Sequence, residues 1–445
     1  MTLTRAPFGA TISVSQTQIE SGRFCMQTYD LVVVGGGLTG VAAAVAAARQ
    51  GLDVLLCEQS GFLGGALGNC LINPFMNNGT NLVVDGEKKR VELSQGIFAE
   101  IQQELIRLGA QQGNMFHEEY MKIVLDRMAI QAGVHVLLHV TLCDVEKEGE
   151  TLRSVTVVGK SGKIRLGARY FIDCTGDADL AVMAGCPTRL GRDSDHLCQP
   201  MTLCFRVANV DMEKFRANRD KITPLYQKLQ KEGKIRNPRE DVLMFFHPVK
   251  NVVHFNTTRV IKLNPVDPFD LTKAEMEARE QMLEMFEMLK NNIPGFENAD
   301  ITMSGPQIGV RESRMIIGEH VLTVEELKAC TRFPDAIAAG NYDVDIHSPD
   351  GAGTSHYYFK EGEYYTIPYR SLLPKEADNL LVAGRCISST HEAQASYRIM
   401  PIVTTLGEAA GVAASVACKA GVNVKEADVG RIQQVLRENG AFLGI

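Results

Sequence analysis

Three glycines stand at the spacing of a dinucleotide-binding turn in the segment Gly35 to Gly40. In such a turn Gly35 makes the sharp bend, Gly37 lets a pyrophosphate approach the main chain, and Gly40 allows close packing of helix on strand. A helix that begins at the turn offers phosphate its unpaired N–H groups and the positive end of its dipole. These residues therefore predict a site for a dinucleotide cofactor.

An acidic residue stands where this kind of site binds a ribose. Glu58 lies 23 residues after Gly35, near the spacing of about 20 that is typical of the fold. Between them, Val41–Gln50 predicts an alanine-rich helix that ends at Gly51, and Leu52–Cys57 predicts a buried strand. The buried run Leu31–Val34 predicts a strand before the turn. Because strand, glycine turn, helix, second strand and acidic residue follow in the expected order, a dinucleotide site is favoured over a coincidental glycine turn with a surface glutamate.

Apolar periodicity predicts the elements that follow this unit. They are a helix capped by Ser94 with Ile97, Ile101, Leu105 and Leu108 inside, a helix with Met121, Val124, Leu125 and Met128 inside, a strand at Val134–Val140, and a hairpin around Gly159–Gly162 that leads into Tyr170–Asp173. We expect them to surround the first sheet.

From about Thr188 to Arg370 the sequence becomes rich in β-type runs separated by polar stretches. The runs that predict an antiparallel sheet are Met201–Val207, Val242–Phe246 and Val252–Ile261. A capping box of Thr272 with Glu275 predicts a helix with Met276, Leu283, Phe286 and Leu289 on its inner face. Strand Leu380–Ala383 and helix Pro401–Lys419, which is followed by Gly421, return the chain to the first sheet.

The sequence thus predicts an α/β protein. Its Rossmann-like domain has a parallel sheet with helices and a β-meander, and an α+β substrate domain with an antiparallel sheet is inserted into it. We expect an N-terminal extension at residues 1–25, a discontinuous nucleotide-binding domain at 26–188 and 371–445, and the substrate domain at 189–370.

Composition narrows the class of partner. The net charge of −7 and the absence of a dense basic block argue against nucleic acid. Eleven scattered cysteines without paired motifs favour a reduced, cytoplasmic protein and no bound metal. The first 25 residues lack a signal-peptide core, and the longest small-apolar run, Val41–Ala48, is too short to span a membrane.

Three segments, Tyr29–Gly65, Tyr170–Gly185 and Asn379–Ala417, resemble the FAD-dependent oxidoreductases of the glutathione-reductase-like flavoprotein superfamily. Fumarate reductases and thiazole-forming flavoproteins are more distantly similar. The resemblance implies that the dinucleotide is FAD and that the other partner is a small-molecule substrate. Many superfamily members have aspartate after the glycine that corresponds to Gly384, and Arg385 stands there instead, so we expect that contact from the main chain.

The motif and the resemblance together imply one set of FAD contacts, in which the adenine contact falls near Val140 or Thr141. The set is Gly35, Gly37, Leu38, Thr39, Gly40, Glu58, Gln59, Gly64, Gly65, Ala66, Val140, Thr175, Gly176, Gly384, Arg385, Ile399, Met400 and Ile402. The last three stand at the start of the final helix, whose N–H groups are expected to face the flavin.

Two missing sequence features exclude certain classes of flavoprotein reaction. Leu67 stands where a disulfide reductase has its first cysteine, and Cys70 alone cannot form that disulfide. No second GxGxxG lies between Gly65 and Gly384, so a dedicated NAD(P)H domain is not expected. Hydride transfer between the substrate and noncovalent FAD is the predicted reaction. An electron-transfer subunit without its own substrate is the alternative, and the electron partner and a homo-oligomeric state stay open.

Two polar stretches are candidates for the catalytic groups. His391 can act as general acid or base, and Arg398 can bind an anionic substrate or the flavin. His356 and Tyr365 lie in a stretch rich in tyrosine that can line the pocket. The alternatives are a hydrogen-bonded loop for the first stretch and a surface strand for the second. Arg311 and Arg314 also lie in a family-like segment, where an ion pair with Glu312 or Glu319 is the plainer explanation.

Overall fold

The computed structural model describes residues 26–445, so the predicted extension at residues 1–25 lies outside the described residues. The strands are β1 Gln27–Val34, β2 Val54–Cys57, β3 Gly79–Val84, β4 Glu87–Glu92, β5 Gln111–Gln112, β6 Met115–Phe116, β7 His135–Leu137, β8 Thr141–Glu148, β9 Thr151–Gly159, β10 Gly162–Asp173, β11 Thr188–Leu190, β12 Phe205–Ala208, β13 Met244–Phe246, β14 Val253–Phe255, β15 Asp300–Ser304, β16 Arg314–Ile316, β17 Ala336–Gly340, β18 Val344–His347, β19 Thr354–Tyr357, β20 Tyr365–Pro368 and β21 Leu380–Val382. The helices are α1 Leu38–Arg49, α2 Ala66–Asn69, α3 Ile97–Arg107, α4 Glu118–Ala132, α5 Asp179–Met183, α6 Met212–Asn218, α7 Ile222–Lys231, α8 Pro268–Asn292, α9 Val324–Lys328, α10 His391–Tyr397, α11 Met400–Ala420 and α12 Val429–Glu438.

The largest sheet has the order β7-β2-β1-β10-β9-β8, with β21 on the other half of β10. Strands β7, β2, β1, β10 and β21 are parallel, and β10, β9 and β8 form an antiparallel meander. Leu31 to Val34 of β1 are buried, as expected for a strand covered on both faces. The predicted mixture of a parallel sheet and a β-meander is confirmed.

Helices α1 and α11 pack against each other without room for side chains at the contact. A Cβ atom at Gly407 would lie 2.1 Å from the main-chain oxygen of Thr39, and one at Gly411 would lie 2.1 Å from that of Ala43. The start of α1 at Thr39 therefore contacts Gly407 in the interior of α11, and α11 begins well before that contact, at Met400. Helix α11 is also long and apolar enough to cross a bilayer, but its apolar surface is almost entirely buried inside this fold.

Helix α3 is capped from a distant part of the chain, and its predicted Ser94 cap is wrong. The N-cap residue is Gly96, and Ser94 Oγ instead accepts a hydrogen bond from Asn78 Nδ2 at 2.8 Å. The N–H of Ile97 donates to Glu408 Oε2 of α11 at 2.9 Å. Glu408 is almost fully buried, and that burial raises its pKa to about 7.

We expect Glu408→Gln to stabilise the protein above pH 7. Because the pKa is raised in the folded state, ionisation of Glu408 costs stability progressively as pH rises from about 4.5 to about 7. At pH 8 the gain should reach up to about 3 kcal/mol, since each pKa unit corresponds to about 1.4 kcal/mol and the amide oxygen can still cap Ile97. Urea unfolding at pH 8 and pH 5 measures it, with exposed Glu438→Gln as the control. An equal gain at both pH values would contradict this account.

A second, antiparallel sheet has the order β13-β14-β12-β15, and α8 covers it. The antiparallel sheet was predicted, although β15 was not. Helix α8 begins earlier than predicted, because Asp267 caps it and Pro268 opens it. The Glu275 carboxylate accepts the Ile308 N–H at 2.6 Å instead of closing a capping box. The predicted inner positions Phe286 and Leu289 are buried, but Met276 and Leu283 are exposed, and Ala274, Ala278 and Met285 are buried instead.

The core around α1 and α11 also contains residues from the predicted substrate domain. Leu322, Ile337, Tyr365 and Ile367 are buried in the same apolar cluster as the two helices. This part of the chain thus contributes to the core of the nucleotide-binding sheet. The domain boundaries themselves stay predictions.

Candidate active site

The turn between β1 and α1 has the three distinct glycine environments that its motif predicts. Gly35 has φ +101°, and a Cβ at Gly40 would lie 1.8 Å from the Gly35 oxygen. A Cβ at Gly37 would meet no atom within 4 Å. Gly35 and Gly40 are thus required by the protein itself, whereas Gly37 borders open space. Gly37 is also the N-cap of α1 and provides no side-chain cap, so the first N–H groups of the helix stay available to a ligand.

Further glycines close around the same space. The N–H of Gly64 donates to the Gly36 oxygen at 2.8 Å, and a Cβ at Gly65 would lie 3.0 Å from Gly37 Cα. Gly384, with φ +107°, lies beside Thr39. The start of α11 at Ile399 likewise has no side-chain cap. Main chain from three separate segments, at Gly35–Gly40, Gly64–Gly65 and Gly384, therefore surrounds one cradle with N–H donors, which suits a diphosphate.

Glu58 holds the glycine turn in place. Its carboxylate is buried and accepts the N–H of Gly36 at 2.6 Å and that of Ser60 at 2.7 Å. The main-chain oxygen of Glu58 accepts the Val140 N–H at 3.1 Å. Glu58 and Val140, which were predicted to contact the two ends of an adenosine, are thus adjacent. The carboxylate keeps lone pairs for a ribose in addition to its main-chain bonds.

Asp173 organises the turn after β10. It is fully buried, which raises its pKa, and it accepts hydrogen bonds from the Thr175 N–H and hydroxyl and from the Ala181 N–H, at 2.7–2.9 Å. The following Gly176 lies under the Arg385 guanidinium, which donates to Asp177 Oδ1 at 2.5 Å. Arg385 Nε has no hydrogen-bond partner among residues 26–445, so the side chain keeps a donor for a cofactor in addition to the main chain.

A buried histidine–carboxylate pair lies at the start of α10. His391 Nδ1 and Glu312 Oε1 are 2.7 Å apart, and both side chains are at most 5% exposed. Glu312 Oε2 also accepts the N–H of Gln199 at 2.9 Å. No described residue between 26 and 445 hydrogen bonds to the other ring nitrogen, Nε2. His391 lines a cavity of about 410 Å³ with Ile346, Ser348, Thr354 and Ser355 among its other walls.

Arg398 belongs to the same polar network. It donates to Gln199 Oε1 and to the Asp345 main-chain oxygen, both at 3.2 Å. Burial opposes ionisation of Asp345, but its hydrogen bond with His347 and the charges of Arg398 and Arg311 hold its pKa well below the usual range. Gln199 therefore connects the His391 pair to a fixed positive charge.

Comparison with known proteins decides the family. A family model described as FAD dependent oxidoreductase matches residues 30–436, nearly the whole described chain. The chain belongs to this family. FAD is accordingly its cofactor, and the cradle of glycines, uncapped helix starts and Glu58 fits that molecule. No curated protein matches the oxidoreductase by sequence.

Solved structures resemble this FAD-dependent oxidoreductase only remotely. A geranylgeranyl bacteriochlorophyll reductase-like protein from Thermoplasma acidophilum is 13% identical, with a TM-score of 0.44 over 93% of this chain and 84% of that one. For p-nitrophenol 4-monooxygenase from Pseudomonas putida DLL-E4 the values are 10%, 0.45, 94% and 94%. For the myxobacterial chondrochloren halogenase CndH they are 14%, 0.41, 93% and 79%. The family match alone carries the assignment.

The structure brings most of the predicted FAD contacts of the oxidoreductase to the carboxyl edge of its main sheet. Gly35 to Gly40, Gly64 to Ala66, Thr175 to Gly176 and Gly384 to Arg385 meet there, whereas no contact of Ile399 to Ile402 with this group is seen among the described residues. Gln59 is exposed just beyond Glu58.

The other two candidate catalytic residues have protein partners of their own. Tyr365 is completely buried, and its hydroxyl is 2.7 Å from Ser396 Oγ, so it braces α10 and has no surface to offer a substrate. His356 lies on the hairpin β18–β19, 2.6 Å from Asp343 Oδ2. The prediction of a pocket-lining role for Tyr365 is therefore wrong, since the hydroxyl points into packed protein.

Sequence reasoning missed the partners of His391. Glu312 was noted only as an ion-pair partner for arginine, and Gln199 carried no recognisable signal. The predicted pairing itself is wrong, because Arg314 pairs with Asp179 and the Asp177 oxygen, whereas Arg311 contacts Pro200 and Thr202. The family-like character of the Gly309–Arg314 segment was the one signal that pointed to this region.

Proposed function

We propose that this oxidoreductase transfers a hydride between a small organic substrate and noncovalently bound FAD, as a member of the glutathione-reductase-like flavoprotein superfamily. The observation that carries the proposal is the His391–Glu312 pair, which borders a cavity and is connected through Gln199 to Arg398. A purely electron-transferring subunit does not need a buried proton-transfer pair beside a cavity.

FAD supplies the hydride chemistry when it is bound. His391 holds or removes a proton on the substrate through Nε2, because Glu312 engages Nδ1 and fixes the ring orientation. Glu312 in turn is oriented by the Gln199 N–H. The uncapped start of α11 directs main-chain N–H groups and the positive end of the helix dipole toward negative charge that forms at the site.

We expect the flavin to be released on denaturation. Cys70 is the cysteine nearest the Gly64 to Ala66 loop, and burial raises the pKa of its thiol to about 12, so it stays protonated and a poor nucleophile. Its Sγ lies 3.5 Å from the Ile308 oxygen, consistent with a structural role. Acid precipitation followed by absorbance of pellet and supernatant tests this. Colour in the pellet that persists in the wild type and disappears in Cys70→Ala would show a covalent link.

A substrate-dependent change in flavin absorbance separates the two functions. A dehydrogenase or reductase should show it with a small molecule alone, whereas an electron-transfer subunit should show it only with a protein partner. The absorbance experiment starts once from oxidised flavin and once from reduced flavin, because the substrate can either donate a hydride to FAD or accept one from it.

A further inference from the structure

Arg311 is a deeply placed cation without a carboxylate partner. It follows the bridge between Gly309 and Thr202, and its Nη1 donates to the Pro200 oxygen at 2.7 Å and to the Thr202 hydroxyl. Within residues 26–445 no Asp or Glu oxygen lies within 4 Å of its guanidinium. Although protein encloses the residue, part of its surface stays accessible. A buried charge that only supported the fold would be paired.

Other arginines surround this position. The charges of Arg398, at the end of α10, and of Arg239 and Arg259, before β13 and after β14, act on it. Burial and these like charges lower the pKa of Arg311 to about 9, so it is still charged near neutral pH. Arg259 is satisfied by Glu240 and His347, whereas Arg239 uses Nε for Asp241 and leaves Nη1 buried without a partner.

Hydrogen bonds connect Arg311 and Arg398 to the His391–Glu312 pair. The main-chain oxygen of Arg311 accepts a hydrogen bond from Gln394 Nε2 of α10 at 2.9 Å, and the next residue, Glu312, binds His391. Gln199 contacts both Arg398 and Gln394. An anion held at Arg311 therefore lies beside the group that we assign to proton transfer.

We propose that Arg311 and Arg398, with Arg239 behind them, bind a carboxylate of the substrate, an inference that rests on the proposed function and names its substrate class. A guanidinium presents its N–H groups in a plane, which matches the two oxygens of a carboxylate. The Asp345 carboxylate acts on Arg311 only from beyond 4 Å, so the Arg311 guanidinium keeps N–H donors for a carboxylate of the ligand. Its carbon skeleton extends toward His391.

Titration of the FAD-loaded protein with acetate, benzoate and succinate tests this without turnover. Each saturable carboxylate should perturb the visible flavin spectrum, and acetamide and benzamide should not. Arg311→Gln should weaken binding by about 10- to 100-fold, the range for hydrogen bonds to charged groups, and Arg311→Lys should lie between the two. Arg279→Gln, on the exposed face of α8, is the matched control and should leave affinity unchanged.

A second readout distinguishes binding from folding. Removing a repelled, unpaired charge should leave the melting temperature of unliganded Arg311→Gln unchanged or higher, whereas loss of a structural ion pair lowers it. Carboxylates that bind the variant as tightly as the wild type, or amides that bind equally well, would overturn the inference. Inorganic phosphate that binds as tightly as every carboxylate would overturn the carboxylate assignment. None of these results requires flavin reduction, so the proposed function is tested separately.

Discussion

Gly37→Val is expected to yield a folded protein without FAD. The space beside Gly37 contains no protein atom within 4 Å of an added Cβ, and the residue has φ −65°, which valine adopts without strain. The protein alone therefore accommodates the new side chain, but the diphosphate cannot occupy the same volume. We expect FAD affinity to fall by about 100-fold or more, the upper end of the cost of overpacking a filled site.

Two other glycines give this prediction its controls. Gly351→Val places the same side chain in another open position, where the nearest atom is Ser348 Oγ at 3.9 Å, and should keep FAD. Gly40→Ala should impair folding itself, because its Cβ would lie 1.8 Å from the Gly35 oxygen. Flavin content, FAD titration and circular dichroism of the purified variants measure both properties. A yellow Gly37→Val protein with ordinary FAD affinity would place the diphosphate elsewhere.

His391→Ala should keep FAD and slow flavin reduction or reoxidation by the substrate by about 10²- to 10⁴-fold, the usual contribution of a general acid or base. The side chain lies at the cavity wall and not in the glycine cradle, so the cofactor should stay bound. Anaerobic stopped-flow absorbance gives the rate of the single flavin half-reaction and excludes slow product release.

Matched variants distinguish the loss of the proton-transfer group from the loss of the residue that positions it. Glu312→Gln should also slow the half-reaction and shift its pH profile, because the positioning carboxylate that fixes the His391 ring is lost. His356→Ala removes a half-exposed histidine that pairs with Asp343, and it should change the rate little. If His356→Ala is slow and His391→Ala is fast, the assignment of the proton-transfer group is wrong.

The cofactor half of the site was predictable because its determinants are local. Turn, helix start and acid all fall between Gly35 and Glu58, and each requirement concerns main-chain geometry that a glycine or a single carboxylate reports. Meander and parallel strands were equally visible in runs of apolar residues. Such features follow from short-range pattern alone.

The partners of His391 were not predictable, because these contacts join distant segments. His391 and Glu312 are separated by 79 positions, and Gln199 lies 113 positions before Glu312. The same limit explains the wrong cap at Ser94, since the true acceptor, Glu408, comes from α11. Tyr365 shows the converse, because a tyrosine-rich strand has one pattern whether its hydroxyls face a pocket or another helix.

We infer that a small molecule alone exchanges a hydride with the flavin of this protein. The most direct test of this inference mixes the FAD-loaded oxidoreductase anaerobically with a library of small metabolites, with and without carboxylates, and follows visible flavin absorbance, once from oxidised flavin and once from photoreduced flavin. We predict that at least one compound bleaches the oxidised form or restores the colour of the reduced form. Absorbance that stays unchanged in both directions with every compound, but responds to a protein electron carrier, would contradict the claim and identify an electron-transfer subunit.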